Sequence, residues 1–449
     1  MSFGFGFGFP RRVGAALRAA LDFNFLSGLL DPRITFTRAS TGTYVNSSGV
    51  LTSAAIDTPR FDYDPVTIAP KGLLIEEQRT NSIRNNTMQG AVAGAPGTLP
   101  TNWSTSTALT GLTREVVGTG TETGVSYIDI RLSGTPSAAG TYLLLDEANN
   151  GVAAITGQAW THSLFVALAA GSTTGVSSIA TVFEERTSAN AFVSEQVSTA
   201  YTVTTTALGG TRQSKTATTN GGATTAFLNA YFRITLTGAA IDFTIRIGLP
   251  QLELGAFATS VIPTTTTAAT RAADVASVTG TNFSSWYNQT EGTVFVEPTL
   301  TGARTLDVAF FRLDDGTNDN RIQSGTGAAF TLINSFLIFG GVSQGNNVVA
   351  VLPTVLGKSA FAFATNSSVT AANGIVGTAD TTVTVPTGLN RLLLGRDDTT
   401  GYLNGHLRSF KYYASRLNNA QLQSLTYVAA PQPGLAHTLL QIGLTVQTT

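Results

Sequence analysis

The stretch Ile241-Asp242-Phe243-Thr244-Ile245-Arg246-Ile247-Gly248-Leu249 decides the class of fold. Ile241, Phe243, Ile245 and Ile247 recur at every second position, with Asp242, Thr244 and Arg246 between them. A period of two puts the apolar set on one face of an extended strand and the polar set on the other. Such a strand belongs to an antiparallel sheet with one buried face. Working outward, similar short runs stand at 126–132, 159–167, 178–184 and 226–236. Others follow at 292–298, 307–313, 328–333, 335–339, 348–351, 358–364, 391–394 and 405–413. The pattern predicts an all-β protein.

Composition points the same way. The chain has 449 residues, enough for two to four domains of roughly 100–200 residues each. Charged residues make up 12%, against about 25% in ordinary soluble domains. Thr, Ser, Gly and Ala must cover the surface instead; Thr favours strands and Gly punctuates turns. The net charge of −1 gives no electrostatic case for nucleic acid. There is no cysteine, which excludes thiol catalysis, cysteine-ligated zinc and disulfides. His162, His406 and His437 stand far apart in sequence, so a histidine metal cluster is not expected. No apolar run is long enough for a transmembrane helix, and no membrane insertion is expected. The apolar N-terminus precedes Arg11-Arg12, an order that does not suit a cleaved leader.

Residues 1–30 read as an anchoring segment. Phe3, Phe5, Phe7 and Phe9 alternate with glycine and share one face of an extended strand. Val13, Leu17 and Leu21 recur every fourth residue and predict a short amphipathic helix over 11–22. A helix this short is marginal alone, and an exposed apolar segment marks a contact. These seven residues are the candidates for docking onto a partner protein. The rest divides into a small β segment (31–90), a sandwich (91–262), a low-complexity link (263–273), a second sandwich (274–430) and a tail (431–449). Asn46-Ser47-Ser48-Gly49 marks a hairpin. Residues 418–428 predict a helix capped by Asn418 or Asn419.

Three blocks resemble a known family. The first is Phe36-Thr37-Arg38-Ala39-Ser40-Thr41-Gly42-Thr43-Tyr44-Val45 with Pro59-Arg60-Phe61 and Gly72-Leu73-Leu74-Ile75-Glu76. The second is Gln251-Leu252-Glu253-Leu254-Gly255-Ala256-Phe257 through Ser260, with Thr270-Arg271-Ala272-Ala273-Asp274. The third joins Gly292-Thr293 to Gly405-His406-Leu407-Arg408 and Ala420-Gln421-Leu422. In this order they resemble phage tail-fibre and other virion structural proteins with concanavalin A-like (laminin G-like) jelly rolls. The middle module looks like a carbohydrate-binding-module sandwich. The resemblance implies tandem antiparallel β-sandwiches behind a short anchor helix, a virion location, other virion proteins as partners, a homotrimer, and contact with host-surface polysaccharide. It does not give a catalytic site, and no cofactor is expected. A purely structural capsid fibre or decoration protein is the alternative, and a polysaccharide depolymerase a third reading.

A sugar has an apolar face for stacking and a hydroxyl edge for hydrogen bonds, so its site needs aromatics beside short polar side chains. Trp286 and Tyr287 supply aromatics. Arg396, Asp397, Asp398, Tyr402 and Asn404 form a mixed loop. Asp314, Asp315, Asn318 and Asn320 offer oxygens for Ca²⁺, although Asp-Asp-Gly and Asn-Asp-Asn are turn formers in any case. Glu184 and Glu185, adjacent on a strand, face opposite ways and do not make a hydrolytic pair. Arg60, Arg79 and Arg271 read as structural, paired with Glu76, Glu77 or Asp274, or with backbone carbonyls.

Overall fold

The computed structural model describes residues 17–428, apart from 106–109, 138–140, 147–150, 221, 301–306, 328–330 and 351–356. Phe3, Phe5, Phe7, Phe9, Val13 and the 431–449 tail lie outside the described residues. The expected class holds: strands dominate and pair antiparallel into sheets.

The middle sandwich has two sheets. One holds Arg212–Thr218, Ala159–Ser172, Ile241–Leu254, Val125–Gly134 and Leu112–Glu122 in that order. The other runs Phe192–Val197, Val176–Arg186, Phe227–Leu236, Thr141–Asp146 and Trp103–Thr105. Ile241, Phe243, Ile245 and Ile247 are buried and meet Ile179, Phe232 and Ile234 of the facing sheet. On the outer face Arg246 stands opposite Asp129 in register and donates to both its oxygens, at 2.9 and 2.8 Å. The alternation thus fixes which face is core, and the outer charges lock the register.

The second sandwich shares one core between an eight-stranded and a seven-stranded sheet. Glu291–Leu300 and Gly405–Tyr413 pair along the centre of the larger sheet. Val308–Asp314 and Arg391–Leu394 pair in the smaller one. Phe311 and Phe410 meet across the core with ring centroids 6.0 Å apart. Asn418 caps the helix Asn419–Thr426 through a reciprocal box with Gln421.

Three features differ from expectation. Residues 17–19 carry no helical turn, Leu17 is exposed, and Leu21 opens the strand Leu21–Asn24. That strand pairs with Gly405–Tyr413 and buries Leu21 and Phe23. Leu21 is therefore core and not a docking residue. Its spacing from Leu17 fits a helix, but Leu21, Phe23 and Phe25 also alternate, and the free flank of Gly405–Tyr413 decides for the strand.

The segment 31–90 is not a separate unit. Thr35–Thr37 joins the smaller sheet beside Val275–Thr279, and Pro70–Ile75 joins the larger one beside Gly405–Tyr413. Strands of three to six residues cannot enclose a core alone; they complete one built elsewhere. Nor is 263–273 a loose link: Ala269–Arg271 pairs with Arg79–Asn81, and Arg271 is fully buried.

The two sandwiches meet at a polar core. Arg60 binds Glu76 at 2.8 Å and also Asp274. Arg38 reaches Asp274 at 3.2 Å, and Arg271 reaches Glu76 at 3.1 Å. Burial alone would raise the Glu76 carboxyl; the Arg271 and Arg60 guanidinia and Ser260 outweigh it and hold the group well below the usual carboxylate range. The structural reading of Arg60 and Arg271 is the one found. Arg79 pairs with Glu77 in the same way.

Candidate functional site

The strand Ile241–Leu254 ends with Leu254 half-exposed at the seam between the sandwiches. Gly255 follows at φ +142° and donates its N–H to the Ala159 carbonyl at 2.7 Å. A side chain at 255 would collide with Arg79, because a Cβ there would lie 1.4 Å from Nη1. The turn brings Phe257 under Arg79, whose guanidinium carbon sits 5.0 Å from the ring centroid. Arg79 thus stands between a carboxylate and an aromatic face.

The loop 395–404 forms the opposite wall. Asp397 accepts from the N–H groups of Thr399 (2.7 Å) and Gly401 (2.9 Å), which folds the loop back on itself. The Leu403 N–H closes its neck on the Gly395 carbonyl at 2.7 Å. Arg396 donates to the carbonyls of Asp397 and Asp398 and lies 4.8 Å over the Tyr402 ring. Asp398 accepts from Arg391 at 2.9 Å. Asn404, left-handed at φ +43°, accepts the Glu77 N–H at 2.7 Å and ties the loop to the other wall.

Between these walls lies a cleft of about 320 Å³ lined by Glu77, Arg79, Leu254, Phe257, Asp307 and Tyr402, among others. It is at the small end of ligand sites, which run from about 300 Å³. The Tyr402 hydroxyl is a donor at neutral pH, and burial raises its pKa further. A lining that combines Tyr402, Phe257 and Leu254 with the carboxylates Glu77 and Asp307 suits a ring with an apolar face and a hydroxyl edge.

The structure sorts the expected residues. It brings Tyr402 and Asn404 to the cleft, Tyr402 as surface and Asn404 as scaffold. Arg396, Asp397 and Asp398 shape the loop through the bonds just described. Trp286 and Tyr287 are corrected: both are buried, stacked among Phe283 and Tyr412, and cannot meet a sugar. The Ca²⁺ candidates are corrected too. Both Asp314 oxygens accept from arginines, Arg312 and Arg391, and Asp314 is fully buried. Asn318 accepts from Arg312, and Asp315 holds Thr317 and Asn320. A run whose oxygens are taken by guanidinium, hydroxyl and amide donors is a braced turn. Glu184 binds Arg186 and Tyr231, whereas Glu185 binds Ser194 and Thr225 on the other face. Among the described residues no helix is long and apolar enough to cross a membrane.

Sequence reasoning missed Arg79 and Phe257 as cleft residues, and Glu77, Leu254 and Asp307 with them. The available signal was Gly255: a glycine ending a strand marks a close approach.

No protein-family model matches the sequence, and comparison with curated proteins finds no relative. Among solved structures, the chain is similar to the CBM40 of the Ruminococcus gnavus IT-sialidase. Bound to α2,3-sialyllactose, that module is 15% identical, with 32% of this chain and 87% of that one covered and a TM-score of 0.28. A second structure of the same module gives 16% identity, 33% and 88% coverage and 0.28. Likeness at this level carries no argument about ligand.

Proposed function

We propose that this chain is a bacteriophage virion structural protein, a tail-fibre or spike component, that contacts host-surface glycan through the cleft between its sandwiches. The cleft itself carries the reading: Tyr402, Leu254 and Phe257 offer apolar surface beside Glu77 and Asp307. The ordered sequence blocks that resemble virion jelly rolls support the location; a homotrimer, whose closed symmetry would suit a projecting fibre, belongs to the same proposal. The residues before Leu21, with Phe3, Phe5, Phe7, Phe9, Val13 and Leu17, would dock to other virion proteins.

The test is binding of fluorescently labelled protein to intact host cells, with free surface polysaccharide as competitor. Saturable, competed binding that falls in Tyr402→Ala supports attachment. Absence of binding by the folded protein on every host overturns it. One observation favours a second reading, a decoration protein without receptor: Arg396, Asp397 and Asp398 are committed to their own loop and to Arg391. Under that reading the labelled protein binds virions and ignores cells.

A further inference from the structure

We infer that the cleft selects neutral sugars and rejects acidic ones; this rests on the glycan reading above and names its ligand class. Two carboxylates, Glu77 and Asp307, line the space. Recognition of an acidic sugar needs a guanidinium or ammonium free to meet its carboxylate, with the bidentate fork of arginine best suited. The two guanidinia of the cleft walls are already engaged. Arg79 is ion-paired with Glu77, lies over Phe257, and packs beside Gly255. Arg396 gives its N–H groups to the carbonyls of Asp397 and Asp398 and lies over Tyr402. Turning either one toward a ligand would break an ion pair or unfold the loop. An incoming carboxylate therefore meets Asp307 and a Glu77–Arg79 pair whose charges cancel, with no guanidinium among the described lining residues outside that pair. A neutral hexose meets the reverse: its hydroxyls donate to the Glu77 and Asp307 oxygens, and its C–H face lies on Tyr402 and Leu254.

A glycan array tests this, carrying neutral hexose oligosaccharides beside their sialylated and uronate-bearing counterparts and probed with the full chain. We expect neutral members to bind at least ten-fold more tightly than their acidic partners at low salt. Asp307→Asn, at an exposed position, narrows that gap and leaves the unfolding midpoint in place. Raising the salt also narrows the gap, because it screens exposed charge. Acidic members bound as well as or better than neutral ones overturn the selectivity and leave glycan binding standing. Binding to no member of the array overturns both.

Discussion

Arg60 and Asp274 stand 214 residues apart in sequence and form an ion pair with neither side chain open to water. Arg38 shares the same carboxylate through its other oxygen, Oδ1. The pair sits at the junction because Arg60 also donates to Ser260, just beyond the last strand of the middle sandwich, at 2.7 Å. Removing one member of a buried pair leaves an uncompensated charge, which costs more than the pair itself contributes.

Asp274→Asn keeps the shape of the side chain and removes its charge. Arg38 and Arg60 then lose their shared counter-ion. The expected loss is about 3–5 kcal/mol of stability, read as a lower midpoint in denaturant unfolding. A midpoint equal to that of the parent would mean that the junction is not held by charge.

Trp286→Ala and Tyr402→Ala should separate core from cleft. Trp286→Ala opens a cavity beside Phe283 and Tyr412 and is expected to cost about 3–5 kcal/mol, with glycan affinity of the folded protein unchanged. Tyr402→Ala should weaken binding about ten-fold, or about 1.4 kcal/mol, with a small shift in melting. Calorimetry and a binding titration on both variants read the split.

His162 gives a pH dependence. Its ring is buried, with Nδ1 3.3 Å from the Val182 carbonyl, and burial pushes its pKa down to about 4 against that carbonyl's opposite pull. The unfolded chain therefore takes up the proton first, from about pH 6.5 downward. Stability is fully present above pH 6.5, falls as pH drops, and this share is gone below about pH 4. The whole is on the order of 3 kcal/mol. Between pH 6.5 and 5, where carboxylates still hold their charge, His162→Gln should flatten the curve of midpoint against pH; an unchanged slope would assign it to other groups.

Truncation should have a sharp boundary. Under the proposed virion role, removing residues 1–16 is expected to abolish incorporation into virions and to leave the melting temperature unchanged. Removing 1–24 also strips Leu21 and Phe23 from the core and the strand from Gly405–Tyr413, so the protein should melt lower. Equal melting of the two would mean that the first strand adds nothing to the sandwich.

Strand faces were legible where alternation was strong. Ile241 to Ile247 alternate against charged neighbours, and the ends at 391, 394, 405 and 413 were read as they occur. The arginine partners in the junction were legible by type, since buried charge must be paired. What escaped is what depends on distant contacts. Leu21 satisfies both a helical and a strand spacing, and only Gly405–Tyr413 chooses between them. Trp286 and Tyr287 look like a sugar platform until Phe283 and Tyr412 close over them. The cleft joins residues from 77 to 404, and local sequence does not foretell that meeting.

The Lys411–Asp22 bridge spans 389 residues, and the strand beneath it sets a timetable. During synthesis at 5–20 residues per second, the first strand waits roughly 20–80 s before its partner leaves the ribosome. The middle sandwich, whose strands are all made in the interval, can close in that time. Residues 21–75 must meanwhile keep their apolar side chains away from other nascent copies. The second sandwich is thus the last to form.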